Sequence, residues 1–262
     1  MKYIFILLSA VVCLTTSCKK DDEPAYNNTV QAPLSVEFDN IAGASDLQLN
    51  TGLYTNASGE KFNVTKLKYY VSNFKLTNIN GNVYTVLQDS SYFLIEEGLK
   101  DEVLLHIPEG EYKTISFVVG VDSLRNTMDI SKRTGVLDPA GAAADMYWGW
   151  NSGYIFYKLE GTSTSVAAAD HIFQYHVGGF GGYSSPTPNN LRTITLDLSA
   201  RGTAKVKAGK ETNIHLMVDV LKALNGSTNM SFAATAMIHS AAPAIPIANN
   251  YMDMFRHDHT EN

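Results

Sequence analysis

"LKYYVSNFKLTNINGNVYTVL", residues 67–87, decides the fold class. It holds two runs of alternating apolar and polar residues with Asn80-Gly81 between them. Alternation at period two fits a strand with one face buried, and Asn-Gly between such runs is a strong hairpin signal. Outward from it, "LSVEF" (34–38), "SYFLI" (91–95), "YKTISFVVGV" (112–121) and "YIFYKLEG" (154–161) also read as strands. So do "HIFQYHV" (171–177), "RTITLDL" (192–198), "TNIHLMVDVL" (212–221) and "MSFAATAMIH" (230–239). All are rich in β-branched and aromatic residues. Turn residues separate them at Pro108-Glu109-Gly110, 161–165, Gly202 and Asn225-Gly226. The pattern predicts a single all-β domain, a sandwich or barrel, over residues 34–262.

Two stretches break the strand rhythm. Residues 122–145, "DSLRNTMDISKRTGVLDPAGAAAD", are long and polar and carry Gly135, Pro139 and Gly141. They predict a loop with a short helix, and a connection of that length inside a compact domain is often functional. In 242–255, "APAIPIANNYMDMF", the apolar residues at 247, 248, 251, 254 and 255 fit one helical face. A short C-terminal helix closing one end of the sandwich is expected.

The first residues belong to processing. In "MKYIFILLSAVVCLTTSC" Lys2 gives a positive start, and an apolar run from Tyr3 to Leu14 ends in small and polar residues before Cys18. That run is too short for a lasting transmembrane helix, so residues 1–17 read as a secretory signal. Ser17-Cys18 resembles a bacterial lipobox, although Thr15 stands where leucine is usual, and Cys18 would carry the lipid. Residues 18–33 then form a linker, with Pro24 and Pro33. "KKDDEP" after the cysteine resembles the export signal of surface lipoproteins. Any lipoprotein also needs a solvated tether, so the outer membrane's surface and its periplasmic face both stay open.

Both cysteines, Cys13 and Cys18, lie in or at the end of the signal, so the mature body can form no internal disulfide and offers a metal no thiolate. The chain carries a net charge of −6; removing residues 1–17 takes away Lys2 and no acid, leaving −7. A mildly acidic chain lacks the basic footprint of a nucleic-acid binder. Catalysis has no specific signature: there is no Gly-x-Ser-x-Gly elbow, and Asp122, Asp129, Asp138 and Asp145 sit near turn residues where capping explains them. The protein is not expected to be an enzyme.

Both tryptophans of the chain, Trp148 and Trp150, lie two apart in "MYWGWNSGYIFYKLEG" (146–161). On a strand they would share one face with Met146. Packed core and an exposed platform for stacking on sugars are both consistent with that. Of seven histidines none falls in a tight metal motif. His176 precedes the glycine-rich "VGGFGGYSSPTPNN", and His239 ends a strand before Pro243, so both can reach a site at a sheet end. His215 and His106 read as satisfied core residues. His171, five before His176, should face the other way. His257 and His259 lie in a polar tail that would be disordered, although His-x-His can also bind metal.

"LKYYVSNFKLTN", "GEYKTISFVVGVDSLRN", "GVLDPAGAAADMYWGWNSGYIFYKLEG", "FQYHVGGFGG", "NNLRTITLDL" and "MIHS…IANNYMDMFRHDH" follow one another in this order. Together they resemble the methanobactin-associated copper-binding proteins, the MbnP-like family, in its lipoprotein branch. "DPAGAAADMY" departs from that family's usual approach to the tryptophan. The resemblance implies copper bound by histidine and by a tryptophan oxidised to kynurenine, the oxidation carried out by a partner di-haem enzyme of the MauG/cytochrome c peroxidase type. An indole nitrogen keeps its lone pair in the ring, whereas ring opening leaves an aniline amine and a ketone that can donate; imidazole suits copper. By the same resemblance His176 and His239 are the first ligands, Trp148 or Trp150 is the modified residue, and His259 falls in a terminal aspartate-histidine element. A role in copper capture or handling at the envelope follows. The alternative is a glycan-binding surface lipoprotein using Trp148 and Trp150 as a stacking platform.

Overall fold

A computed structural model describes residues 25–150 and 153–262. The stretch read as a signal, 1–17, and Cys18 lie outside these residues, as do Asn151 and Ser152.

Sixteen strands occur among the described residues. The first eight are β1 (Gln31–Ala42), β2 (Ser45–Asp46), β3 (Tyr54–Thr55), β4 (Lys61–Asn78), β5 (Val83–Thr85), β6 (Tyr92–Glu96), β7 (Glu102–Pro108) and β8 (Gly110–Val119). The helix α1 (Ser123–Thr127) follows, then β9 (Tyr147–Trp148), β10 (Gly153–Thr162), β11 (Ile172–Gly178), β12 (Arg192–Asp197), β13 (Ala204–Val206) and β14 (Asn213–Asp219). The chain ends with α2 (Val220–Leu224), β15 (Met237–Ile238), α3 (Ile245–Asn250) and β16 (Phe255–Glu261).

They form two sheets. The smaller has five strands in the order β16-β14-β1-β2, with β7 also on β1. The larger has eleven, with the path β12-β8-β4-β10-β11-β15 and the short strands β3, β5, β6, β9 and β13 attached to it. Strict alternation along β1, β7 and β14 turns Leu34, Val36, Phe38, Val103, Leu105, Ile214 and Leu216 inward. From the larger sheet Tyr69, Ile115, Phe117, Phe173 and Tyr175 meet them. Phe38 packs edge-on to Phe117 across the interface, ring centroids 5.6 Å apart. The result is an all-β sandwich.

The hairpin at Asn80-Gly81 forms, with Lys75, Leu76 and Thr77 opposite Thr85, Tyr84 and Val83. It closes through three residues instead of two. Gly81 N–H donates to Asn78 O, Asn78 N–H to Asn82 O, and only Gly81 takes positive φ, +88°. A turn followed by one left-handed glycine is the bulged hairpin closure.

Several expectations need correction. β1 begins at Gln31, three residues inside the segment read as linker. "MSFAATAMIH" is mostly irregular, with a turn at 232–234 and only Met237–Ile238 in a strand, because residues 231–233 bind a buried carboxylate, Glu60. Its oxygens accept from Asn56 Nδ2 (2.7 Å), Ser231 Oγ (2.8 Å), Phe232 N (2.7 Å) and Ala233 N (2.9 Å). The short helix near the C-terminus is present as α3, but it is followed by β16, which takes Phe255 out of the predicted helix and residues 256–261 out of the predicted tail and onto β14.

The 122–150 segment covers the outer face of the larger sheet. A second apolar cluster lies there, in which Leu137, Ala143, Met146 and Trp148 from the segment meet Tyr70, Leu94 and Phe156 from the strands. This accounts for β10, whose residues 153–159 are buried although a half-covered strand would alternate. Asp122 caps α1 through Arg125 N. Buried Asn126 donates to Val121 O (2.6 Å) and accepts from Tyr154 N (2.9 Å), tying the segment to β10.

Candidate metal centre and the tryptophan pair

β15 lies parallel to β11, with Gln174 opposite Met237 and Tyr175 opposite Ile238. One step further, the register sets His176 beside His239. Their rings stack with centroids 4.5 Å apart and planes 28° apart, a distance close to the spacing of paired strands. Phe173, Tyr175 and Val177 face the core, so His176 projects from the outer face of the larger sheet. His176 is half-buried and His239 exposed.

His176 Nε2 lies 2.7 Å from Glu160 Oε1. A carboxylate only accepts, so Nε2 carries the proton and neutral His176 keeps its lone pair on Nδ1. Burial is the main cause that pushes His176 down to about 4; the Glu160 hydrogen bond opposes it, and the Lys158 cation and His239 act with burial. At neutral pH this imidazole is therefore uncharged and able to donate to a metal.

Gly178, two residues on, shares the face of His176. A Cβ there would come within 2.6 Å of Trp148 Cζ3 and 2.7 Å of Tyr154 O. The missing side chain lets the Trp148 ring lie against the strand that carries His176. Asn190 fixes both sides of the pair, donating from Nδ2 to Gly178 O (2.7 Å) and Ala241 O (2.8 Å).

The tryptophans do not share a strand. β9 ends at Trp148 and pairs with β10, with Trp148 opposite Gly153 and Tyr147 opposite Tyr154. Trp150 follows in the turn. The rings still stack, centroids 5.6 Å and planes 19° apart. Trp148 is 4% exposed and Trp150 59%. Trp150 also edges a cleft shared with Tyr147, Arg133, Phe180 and Tyr183.

Charged groups pin the segment below the tryptophans. Asp145 Oδ2 lies 3.2 Å from Lys68 Nζ and 3.6 Å from both Lys66 Nζ and Lys158 Nζ, and its backbone carbonyl accepts from Lys158 Nζ. Lys158 is 4% exposed, and burial lowers its pKa against the pull of Asp145 and Glu160. Burial alone would raise the Asp145 pKa, but Lys158, Lys68 and Lys66 bring it below its ordinary value.

The remaining histidines go elsewhere. His259, grouped with His176 and His239 by resemblance, is not with them. It lies on β16 opposite His215 on β14, rings 4.8 Å apart. The buried partners of His215 are Ile214 and Leu216, so this pair faces out from the smaller sheet, on the opposite side of the sandwich. His215 is thus no core residue, and His106 is exposed on β7. His171 takes positive φ before β11 and its Nδ1 lies 2.9 Å from Val166 O. The His215–His259 pairing was missed because it depends on β16, whose polar sequence carries no strand signal.

A search of curated proteins gave no match. The solved structure of MbnP from Methylosinus trichosporium is similar in fold, with a TM-score of 0.53 at 16% identity, covering 82% of this chain and 87% of that one. The family profile for MbnP matches residues 31–240, which include Trp148, Trp150, His176 and His239. The chain belongs to the MbnP family.

Proposed function

We propose that this protein is an envelope lipoprotein, anchored through Cys18, that binds copper at His176 and His239 together with a kynurenine made from Trp148, in copper capture or handling. The carrying observation is the in-register stack of His176 on His239 at 4.5 Å with the Trp148 ring against Gly178 two residues away. The donor set fits copper: one imidazole held neutral with Nδ1 free, a second exposed, and no thiolate. Because the two rings now lie nearly parallel and lone pairs lie in the ring plane, at least one imidazole must turn for both to reach one ion.

Trp148 is the better candidate for oxidation because it lies against the histidine strand. Trp150, stacked on its outer side and exposed, is where a di-haem partner enzyme can approach. Ring opening cleaves the bond between C2 and C3 of the indole and leaves one oxygen on each carbon, a four-electron oxidation for which the partner enzyme would use two equivalents of hydrogen peroxide, each reduced to water; hydrolysis of the resulting N-formyl group then releases C2 as formate. In this reading the protein is the enzyme's substrate and has no catalytic role of its own. The burial of Trp148 counts against a two-ring sugar platform, since only Trp150 offers an open face.

Copper retained after co-expression with a di-haem enzyme and exhaustive dialysis, measured by plasma mass spectrometry, tests this. One equivalent is expected in the parent protein and a large loss in His176→Ala and His239→Ala. Equal copper in all three would remove these histidines from the site.

A further inference from the structure

We infer that a second metal site lies on the opposite face of the sandwich, formed by His215, Asp258 and His259, and suited to a divalent ion such as zinc or copper(II). Among the described residues this is the only group of three metal-ligating side chains whose donor atoms all lie within 4.8 Å of one another.

A β-bulge builds it. His215 pairs with His259, and the next pair along is Leu216 with His257, so Asp258 is the extra residue. In a regular strand Asp258 and His259 would point to opposite faces; two residues opposing one brings both toward His215. Asp258 Oδ2 lies 2.9 Å from His259 Nδ1 and 3.5 Å from His215 Nδ1. Bonds of about 2.0–2.1 Å to a tetrahedral ion put neighbouring ligand atoms about 3.3–3.4 Å apart, so these edges need little adjustment.

The outer shell has the form of a metal site. His215 Nε2 faces Asp39 Oδ2 at 3.6 Å and Glu37 Oε1 at 3.9 Å, and His259 Nε2 faces Glu261 Oε1 at 3.5 Å. Each imidazole therefore turns Nδ1 to the shared carboxylate oxygen and Nε2 toward an outer carboxylate, as metal-bound histidines do. Asp258 Oδ1 is engaged by Arg201 Nη1 (3.4 Å) and Arg256 Nη1 (3.6 Å), leaving Oδ2 to the histidines. His215 Nδ1 is buried and has no hydrogen-bond partner. Such an atom is costly unless something binds it. The proton between His259 and Asp258 would leave as the ion enters.

This site is independent of the tryptophans and of His176, so its test is separable from that of the proposed copper centre. Zinc chloride is titrated calorimetrically into the full chain made without any partner enzyme, in the parent, in His176→Ala/His239→Ala and in His259→Ala. One equivalent should persist in the double variant and be lost, or bound at least about tenfold more weakly, in His259→Ala. Asp258→Asn, which keeps the size of the side chain, should weaken the same equivalent, and unchanged melting temperatures of the metal-free variants would exclude unfolding. Zinc stoichiometry and affinity unaltered by His259→Ala and Asp258→Asn, or an equivalent that disappears only in the double variant, would overturn the assignment.

Discussion

Gly178 lies under the six-membered ring of Trp148, so close that a single Cβ would sit 2.6 Å from Cζ3. The contact joins β11, which carries His176, to the segment that carries the tryptophans.

Gly178→Ala should therefore act on both. The added methyl also meets Tyr154 O, and overpacking of this kind costs about 1–3 kcal/mol. Chemical denaturation should show a lower midpoint with an unchanged slope. A midpoint equal to that of the parent would mean that the ring is not held where it is described.

The tryptophans should behave differently on substitution. Trp148→Ala empties a buried site and should cost about 3–5 kcal/mol, whereas Trp150→Ala, at 59% exposure, should stay within about 1 kcal/mol. For copper the milder Trp148→Phe should abolish the tightly held equivalent, and Trp150→Phe should leave a protein that still binds once modified. Retention in Trp148→Phe with loss in Trp150→Phe would transfer the modified position to 150.

Asp145 makes ion pairs with Lys66, Lys68 and Lys158 in the stretch that leads into the tryptophans. Asp145→Asn leaves buried Lys158 with the backbone carbonyl of position 145 and the weaker pull of Glu160. Because the Asp145 side chain is 39% exposed, the cost should be about 1–3 kcal/mol, below that of breaking a fully buried pair. Thermal unfolding in low and high salt checks this: the difference from the parent should shrink as salt rises.

Glu60 gives a pH dependence with a definite sign. Burial raises its pKa, but the hydrogen bonds from Ala233, Asn56, Phe232 and Ser231 outweigh it, so the folded value is below the ordinary 4.5. The unfolded chain then binds the proton more readily. The stability from Glu60 is present above pH 4.5 and is lost as pH falls through the lower folded value. Glu60→Gln should be less stable than the parent at neutral pH and should show a weaker loss of stability as pH falls below 4.5. Since Glu60 holds residues 231–233, which lead into His239, the same variant should loosen the 231–239 segment in hydrogen exchange.

Much of this was legible in the sequence, and the misses have physical causes. Long alternating strands such as β1, β4 and β8 announce themselves because one face is buried. β10 read as a strand from its β-branched and aromatic content, but its double burial follows from a cover supplied by residues 122–150, which no local pattern shows. The apolar run at 230–239 read as a strand, yet a single carboxylate, Glu60, takes its backbone donors and turns it. His176 and His239 were chosen by resemblance, and the parallel β11–β15 register supplies the reason they meet. His215 and His259 could not be paired beforehand: β16 is a polar strand, and its bulge at Asp258 reverses the side-chain parity that spacing would suggest.

Peptide mass spectrometry of the protein purified with and without a co-expressed di-haem enzyme, read at residues 148 and 150 alongside bound copper, tests the central claim most directly. The expected result is kynurenine at 148, tryptophan at 150, and copper only in the modified protein. Unmodified tryptophan at both positions in protein that has met its partner, or tight copper binding at His176 and His239 without modification, would contradict it.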